Sequence, residues 1–296
     1  MAFRLRPDED IGDGLARVTR KTIRKGVTAI DGVPPAEAVH ALRKSVKKAR
    51  AVVTLVEAGI DHAHRVEKRL RRVGRGLGAV RDAHAIAETF AHVAATMPPA
   101  DRHALRAVQR RLRTNARRLE REAVDDGVVE KTRRKLRAAQ RHLRRRGLER
   151  VREQDVLEGV KETYQRGRRA LATAADSGHP DDFHRWRKRV KALWYQARLL
   201  AARWETAAAV HALGELETCL GEDHNAAVLR DALRRDDRLR GTPLLRSIEH
   251  AIDAYQQRLR RKALSIGDRF YGARPRAFVE RLIGAPRTKP PRKAAA

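Results

Sequence analysis

The chain has 296 residues, enough for one large hydrophobic core or two ordinary ones. Its 67 lysines and arginines outnumber its 37 aspartates and glutamates, which gives a formal net charge of +30, and 42% of its residues are hydrophobic. These values exclude a basic disordered tail and indicate a globular protein with a polyanionic partner, which would be nucleic acid, anionic lipid or inorganic polyphosphate.

Cysteine usage and the N-terminal stretch give an expectation for the compartment. A single cysteine, Cys219, permits no disulfide within the chain and no cluster of thiolate ligands. The opening MAFRLRPDED is too charged for a signal peptide, and no run approaches the roughly 18 apolar residues that a spanning helix needs. We therefore expect a cytoplasmic protein without a membrane span.

Apolar residues recur at helical spacing through the first part of the chain, and turn signals divide them into six helices. The turn signals are the DGVPP cluster, the glycines at 74, 76 and 78, the MPPA turn and the DDG turn. Asp101 is a candidate N-cap for the fifth helix. The predicted helices span about 11–30, 37–59, 61–77, 79–96, 101–123 and 128–146.

A second series of helices starts near Asp155. The first of them ends at the turn ADSGHPDD, a helix containing His184 follows, and a leucine-rich helix comes next. Two further helices, about 243–264 and 267–283, close the fold, and the tail 285–296 is expected to be disordered. No run alternates with the period of a strand, so the fold class predicted is all-α.

Two helical stretches repeat each other at a shift of 144 residues: AVHALRKSVKKARA at 38–51 and DFHRWRKRVKALWY at 182–195. Leucines and a glycine that follow each stretch also match, at a shift of 143, since Leu220 and Gly221 correspond to Leu77 and Gly78. Repeated residues at repeated spacing predict an internal duplication, with a first half at about 11–146 and a second half at about 155–283. The corresponding residues of the two stretches are His40 and His184, Arg43 and Arg187, Lys44 and Lys188, Val46 and Val190, and Lys47 and Lys191.

Each repeated stretch is amphipathic, with a cationic face opposite an apolar one, because a helix turns about 100° per residue. We call the cationic faces the first stripe (His40, Arg43, Lys44, Lys47, Lys48, Arg50) and the second stripe (His184, Arg187, Lys188, Lys191). The apolar faces are Val39, Leu42, Val46, Ala49 and Val53, and Phe183, Trp186, Val190, Leu193 and Ala197.

Like charges at these spacings repel by about 0.2–0.5 kcal/mol per pair, and neither stripe contains an acidic residue to relieve the repulsion. A bound anion would relieve it and would also gain charge-assisted hydrogen bonds. A histidine beside such a ligand would have its protonated form favoured. The stripes are therefore the candidate binding surfaces, although a solvated charged face is the alternative for any single copy.

The sequence gives little support for a metal site or a catalytic site. Lysines and arginines beside both histidines repel a cation, so no metal or other cofactor is expected. Asp82 and Asp223 are interpreted as helix caps or ion-pair partners. The sequence contains no P-loop, GxSxG or HExxH motif and no carboxylate pair near the stripes, so we expect a binding protein and no enzyme.

Sequence-nonspecific nucleic-acid binding is the competing function. Single-strand binders stack bases on aromatic side chains, and only 4% of this chain is aromatic. Trp186 and Trp204 project onto apolar faces, Trp194 lies at a margin, and Tyr195 alone lies on the cationic side. Contacts to a duplex backbone need only positive charge, so this function stays open.

The repeated motifs resemble those of the CHAD family, the conserved histidine α-helical domain. Its pattern, a histidine followed by basic residues and then by an L-G-x-x-R/N-D-like turn, occurs here as HALRKSVKKAR with LGAVRDA, and as HRWRKRVKALWY with LGEDHNA. Trp194 stands where the pattern has arginine, and His224-Asn225 replaces the Arg-Asp or Asn-Asp pair. These departures predict that the second half binds the ligand less strongly than the first.

The resemblance implies one CHAD domain over residues 5–283, with two pseudo-symmetric antiparallel helical bundles around a central basic channel that binds inorganic polyphosphate. It also implies association with polyphosphate granules, whereas the triphosphatase activity fused to some family members is not expected, because no E-x-E-x-K strand lies near the start. The candidate polyphosphate-binding residues are His40, Arg43, Lys44, Lys47, Lys48, Arg50, Arg81, His184, Arg187, Lys188, Lys191, Tyr195 and Arg198.

Overall fold

The computed structural model describes residues 3–28, 35–57, 59–60, 63–75, 78–144 and 147–284. Within these ranges the chain is helical and contains no strand, which confirms the all-α prediction. Short 3₁₀ helices at Pro99–Asp101 and Leu148–Arg150 join longer elements. The α-helices are α1 Ile11–Thr28, α2 Pro35–Leu55, α3 Ala63–Arg75, α4 Gly78–Ala94, α5 Arg102–Asp125, α6 Val128–Arg144, α7 Glu153–Ser177, α8 Pro180–Leu200, α9 Ala207–Arg234, α10 Pro243–Tyr271 and α11 Pro275–Ile283.

Both repeated stretches form helices, α2 and α8, and their apolar faces are buried as predicted. Leu42 and Val46 on α2 and Trp186 and Val190 on α8 are at most 2% exposed. They belong to one large hydrophobic cluster that also receives side chains from α1, α3, α7 and α11. Burial of these two faces fixes the direction in which the cations of α2 and α8 point.

A second hydrophobic cluster lies where the two halves meet. Phe90 on α4 and Val108 on α5 pack there with Leu229 on α9 and Ile248 on α10. Both halves also contribute to the large cluster, so neither half has a core of its own. The halves therefore fold as one body, within the predicted domain bounds of 5–283.

Helix neighbours recur in the two halves. Helix α1 packs on α2 as α7 packs on α8, α2 packs on α3 as α8 packs on α9, and α4 packs on α5 as α9 packs on α10. Across the halves, α2 contacts α8 and α4 contacts α9. The repeat predicts this pattern, and a pseudo-twofold relation between residues 11–146 and 155–283 stays a prediction that superposition of the halves would test.

The predicted turn at LGEDHNA in the second half is wrong. Helix α9 continues without interruption through Leu220 and Gly221, whereas in the first half α3 ends at Arg75 and α4 begins at Gly78. The first half has three glycines within five residues, at 74, 76 and 78, and glycine weakens a helix. The glycines of α9 are isolated, and a helix tolerates an isolated glycine.

The break predicted near residue 266 is also wrong, because α10 extends to Tyr271. Gly267 lies inside this helix, where a Cβ atom would come within 2.7 Å of Cζ2 of Trp186. This glycine serves close packing against α8, and the helix ends instead before Gly272 and Pro275.

Other boundaries differ by a few residues. Helix α2 begins at Pro35 and ends at Leu55, although 37–59 was predicted. Asp101 directly precedes α5, as predicted for its N-cap, and is also the last residue of a 3₁₀ helix. Several predicted features fall outside the described residues: the end of the first helix at 30, Asp61, Leu77 and the tail 285–296.

Candidate functional site

Packing of α2 against α8 brings cations from both halves together. Five residues, which we call the central cluster, act electrostatically on one another: Arg43 and Lys47 on α2, Arg81 on α4, and Arg187 and Lys191 on α8. All five belong to the predicted binding set, and 144 residues separate Lys47 from Lys191 in the sequence. The two stripes are therefore neighbours in space: Arg43 and Lys47 of the first stripe lie near Arg187 and Lys191 of the second.

Lys47 experiences this crowding most strongly. Burial, followed by the charges of Lys191, Arg43, Arg187 and Arg81, lowers its pKa from 10.5 to about 7. Among the described residues Lys47 has no hydrogen-bond or ion-pair partner. Near neutral pH this ammonium group is therefore only partly protonated when no anion is present.

The two arginines of the repeated motif occupy comparable places. Nη1 of Arg43 donates a hydrogen bond to the carbonyl oxygen of Gly74 at 3.3 Å. The guanidinium of Arg187 lies over Gly221, where an added Cβ atom would be 3.7 Å from Nε. Both side chains are thus held against the helix that follows their own, with Arg187 only 12% exposed. Burial is the main cause that lowers the pKa of each of these arginines.

A carboxylate that the sequence did not single out lies at the edge of the central cluster. Glu217 on α9 accepts a hydrogen bond from Lys191, and its Oε1 lies 3.8 Å from Nη2 of Arg187. At the shift of 143 residues, Glu217 corresponds to Gly74, which has no side chain to play this part in the first half. That comparison of the two halves is the sequence signal that could have found it.

Neighbouring helices also neutralise part of the first stripe. Arg50 donates two hydrogen bonds to Glu67 on α3, from Nε at 3.0 Å and from Nη2 at 2.5 Å. The stripes contain no acid within themselves, but Glu67 and Glu217 supply one to each. The expectation that the stripes are wholly unneutralised is corrected to this extent.

The second motif of each half meets the other half. Arg81 on α4 donates a hydrogen bond from Nη2 to Oδ1 of Asn225 on α9 at 2.9 Å, and its Nη1 is 2.9 Å from Oδ1 of Asp82. Asp223 on α9 accepts from Arg260 on α10 at 2.7 Å. The interpretation of Asp82 and Asp223 as ion-pair partners is confirmed.

Two histidines lie beside the cluster. The rings of His184 and His224 have centroids 4.0 Å apart. Burial, followed by Lys188 and Arg187, lowers the pKa of His184 to about 4, and burial, followed by His184 itself, lowers that of His224 to about 3. Both imidazoles are therefore neutral at neutral pH when no anion is present. Burial and the nearby cations also lower the pKa of His40.

The remaining candidates lie outside the five residues of the central cluster. His40, Lys44 and Lys48 line a cleft between α1 and α2, and Lys188 is exposed beside Arg50. The guanidinium of Arg198 covers the ring of Trp194 at 4.6 Å.

Tyr195 differs from the expectation that it lies on the cationic side. It is 5% exposed and packs edge-on against Phe3 in the large cluster, and burial raises its pKa to about 12. Neighbouring elements cover the side of α8 on which Tyr195 lies, a side that the helical projection predicted to be exposed. The Tyr195 ring is therefore part of the hydrophobic core.

No aromatic side chain in the described ranges is fully exposed, and Trp194 is half-buried. Trp186 and Trp204 are at most 6% exposed, as predicted, and Ile283 is the one large hydrophobic residue exposed there. The described residues also contain no group of three or more histidine, cysteine or acidic side chains that could hold a metal ion. No described helix has the length and apolar character needed to cross a membrane.

The described residues define an all-α protein in which cations of both halves gather on two packed helices. The family model of the CHAD domain matches residues 15–234, and the chain belongs to the CHAD domain family. A solved structure with a similar fold is the crystal structure of the CHAD domain from the plant Ricinus communis, with a TM-score of 0.64 and 16% sequence identity over 92% of this chain and 95% of that chain. A comparison with curated proteins finds no match.

Proposed function

We propose that the chain binds inorganic polyphosphate, without degrading it, through the central cluster and the adjoining cations of both stripes. One observation carries this proposal: five cations from α2, α4 and α8 crowd together, and burial together with the charges of the other four lowers the pKa of Lys47 to about 7. A sequence selected for stability alone would alternate charges here. An anion at this place relieves the repulsion and gains charge-assisted hydrogen bonds.

A chain of phosphates fits this site better than a nucleic acid does. Polyphosphate offers charge on every unit and has no bases that need a stacking partner. The described residues offer many cations and few accessible aromatic rings. Trp186, Tyr195 and Trp204 are buried, and the guanidinium of Arg198 covers the half-buried ring of Trp194. Binding to a nucleic-acid backbone needs charge alone, so it is the outcome that a test has to distinguish.

In this proposal the histidines donate hydrogen bonds to the bound anion when they become protonated. His40 and His184 have lowered pKa values in the free protein because of burial and nearby cations. A bound anion favours the protonated imidazole and so offsets that lowering. Each histidine then adds a charged donor as the pH falls, next to an arginine and a lysine of the same stripe.

Competition binding tests the choice of ligand. Long polyphosphate, duplex DNA and single-stranded RNA, matched in total charge, compete for the purified chain at physiological salt. We expect polyphosphate to displace both nucleic acids and its affinity to fall steeply with salt, because each neutralised phosphate releases counterions. Equal competition by duplex DNA would replace polyphosphate binding with general binding of phosphate backbones.

Binding without turnover is the second part of the proposal. Two ion pairs support it: Asp82 pairs with Arg81 and Glu217 pairs with Lys191, and a carboxylate held by a cation is a poor ligand for a metal ion and a poor base for water. We propose that the protein acts in the cytoplasm at polyphosphate granules. Incubation with polyphosphate and Mg²⁺ or Mn²⁺ should release no free phosphate, and sustained release would contradict the binding-only assignment.

A further inference from the structure

The first stripe divides along its length. Arg43 and Lys47 face the central cluster, whereas His40, Lys44 and Lys48 line a cleft of about 470 Å³ between α1 and α2. The opposite wall belongs to α1, a helix that no part of the repeated motif includes. Six of the lining residues carry basic side chains and can face an anion: Lys21, Arg24, Lys25, His40, Lys44 and Lys48.

Close packing of α1 on α2 creates the cleft. Gly26 on α1 lies against Ser45 on α2, where an added Cβ atom would be 2.5 Å from Oγ. The two helices therefore approach closely at this level, and their cations, which include Lys25 and Lys48, stand on the two rims. The charges of Lys44 and Lys25 help to lower the pKa of Lys48 to about 8, after burial and together with Arg198.

The lining of the cleft contains no acidic side chain within the described ranges. Arg17 also lines it, but its guanidinium is held by Glu9, with Nε 2.8 Å from Oε2. Lys48 stands over the ring of Phe3, with Nζ 4.8 Å from the centroid, and this contact holds the ammonium group within the cleft. The cleft thus holds Lys25, His40, Lys44 and Lys48 near one another with no acidic residue in its described lining.

The cleft continues into the central cluster at His40. Its ring responds to Lys44, which lines the cleft, and also to Lys47, Arg43 and Lys191 of the central cluster. An extended anion leaving the central cluster along α2 would therefore meet cations without a gap.

We infer that the cleft between α1 and α2 is a second binding segment for the same phosphate chain, in which Arg24 and Lys25 of α1 contact phosphates that lie beyond the central cluster. This inference rests on the proposed function, because it extends the path of its ligand. It assigns binding residues to α1, outside the repeated motif.

The second half offers a matched control. At the shift of 144 residues, Arg168 and Arg169 on α7 correspond to Arg24 and Lys25, and all four residues are exposed. Gln165 stands at the position of Lys21 and Ala192 at that of Lys48, so the second half lacks two of the six basic residues. Replacement of either pair removes the same charge from the same place in the repeat.

The experiment compares Arg24→Gln with Lys25→Gln against Arg168→Gln with Arg169→Gln in the full chain. Titration calorimetry with long polyphosphate over a series of salt concentrations gives the affinity and its salt dependence. We expect the α1 variant to bind about tenfold more weakly than the α7 variant, with a salt slope shallower by about 1.4, which is about 0.7 for each of two lost phosphate contacts. Melting curves check that both variants remain folded.

A third variant, Lys47→Gln, separates the outcomes. If it weakens binding while the α1 and α7 variants behave alike, the central cluster binds alone and the inference about the cleft is overturned. If the wild-type chain does not bind polyphosphate at all, the proposed function fails, and the cleft inference fails with it. A greater loss of affinity for polyphosphate in the α1 variant than in the α7 variant supports the inference that the cleft binds the phosphate chain.

Discussion

Arg81 on α4 donates a hydrogen bond to Asn225 on α9, at 2.9 Å, across the boundary between the two halves. Both residues belong to the second motif of their half, so the two motifs meet in the folded protein. Asn225 accepts without adding a charge, and Asp82 is the one carboxylate that the described residues pair with Arg81. The contact with Asn225 therefore adds no negative charge beside the central cluster.

Asn225→Asp should weaken polyphosphate binding. The new carboxylate would pair with Arg81 and lower the positive potential of the central cluster, and loss of about 1.4 kcal/mol of attraction reduces affinity tenfold. Asp231→Asn, at an exposed position two turns along the same helix, makes the reverse change of charge away from the cluster and should leave affinity nearly unchanged. Calorimetry at low and physiological salt measures both, and undiminished affinity in Asn225→Asp would remove Arg81 from the site.

Glu217→Gln should increase affinity for polyphosphate and reduce the stability of the free protein. The carboxylate pairs with Lys191 and Arg187, so a phosphate must compete with it for the same two cations. Without it, those cations repel each other in the free state, at a cost of about 1–3 kcal/mol, because two partly buried charges lose their acceptor. Calorimetry gives the affinity and thermal melting gives the stability.

The matched control is Glu215→Gln, because Glu215 lies two residues away on α9, is exposed and pairs only weakly with His211. It makes the same change of net charge at a distance from the cluster. If both glutamate variants raise affinity equally, the gain comes from net charge, and the competition between Glu217 and the ligand is absent.

Affinity should fall as the pH rises through about 7. Lys47 has a pKa of about 7 in the free protein, because of burial and the charges of Lys191, Arg43, Arg187 and Arg81. A bound anion raises that pKa, so binding takes up a proton once the free lysine has lost its own. Affinity for long chains, whose end groups are few, should decline as the pH rises above about 7, and protonation of His40 and His184 should strengthen binding further as the pH falls below neutrality. Lys47→Arg, which stays charged, should remove this decline.

Stability of the free protein should move in the opposite direction over that range. The unfolded lysine holds its proton up to its ordinary pKa of 10.5, and the folded one loses it near 7. The unfolded state therefore binds more protons between these values, and stability rises with pH there. Denaturant melts at several pH values, on wild type and Lys47→Arg, measure this contribution. A profile identical in both proteins would show that Lys47 does not titrate in this range.

Long chains should depend on both halves. Arg43→Gln with Lys47→Gln, or Arg187→Gln with Lys191→Gln, removes two cations from one stripe. Since a long chain contacts both stripes, each double variant should bind it at least tenfold more weakly, through lost effective concentration as well as lost contacts. Tripolyphosphate, which contacts fewer cations, should bind wild type weakly and lose less in either variant.

Arg168→Gln with Arg169→Gln serves as the charge-matched control for that comparison. If both double variants bind long chains as tightly as this control does, the two stripes are solvated faces. The arginine-rich pair α5 and α6 would then be the next candidate, although several of its arginines already have acidic partners, as Arg111 has Asp236 at 2.7 Å.

The sequence by itself determined the helical class, the two amphipathic helices and the faces that they bury. These are local properties: the 3.6-residue period of Leu42 and Val46, or of Trp186 and Val190, decides which side of a helix enters a core. It also determined that cations would occupy the opposite sides. The turn wrongly predicted at Leu220 and the helix break wrongly predicted near residue 266 were both errors about glycine, which ends a helix in one place and permits close packing in another.

Only the tertiary structure decided how the stripes are arranged. Packing of α2 against α8 places part of the first stripe in the central cluster, and packing of α1 against α2 places the rest in the cleft. A helical projection of α2 alone does not show this division. Distant helices supply Glu67 and Glu217 to the stripes and cover Tyr195. Such contacts join residues far apart in sequence, and their electrostatic consequences, such as the lowered pKa of Lys47, depend on burial and on short distances through space.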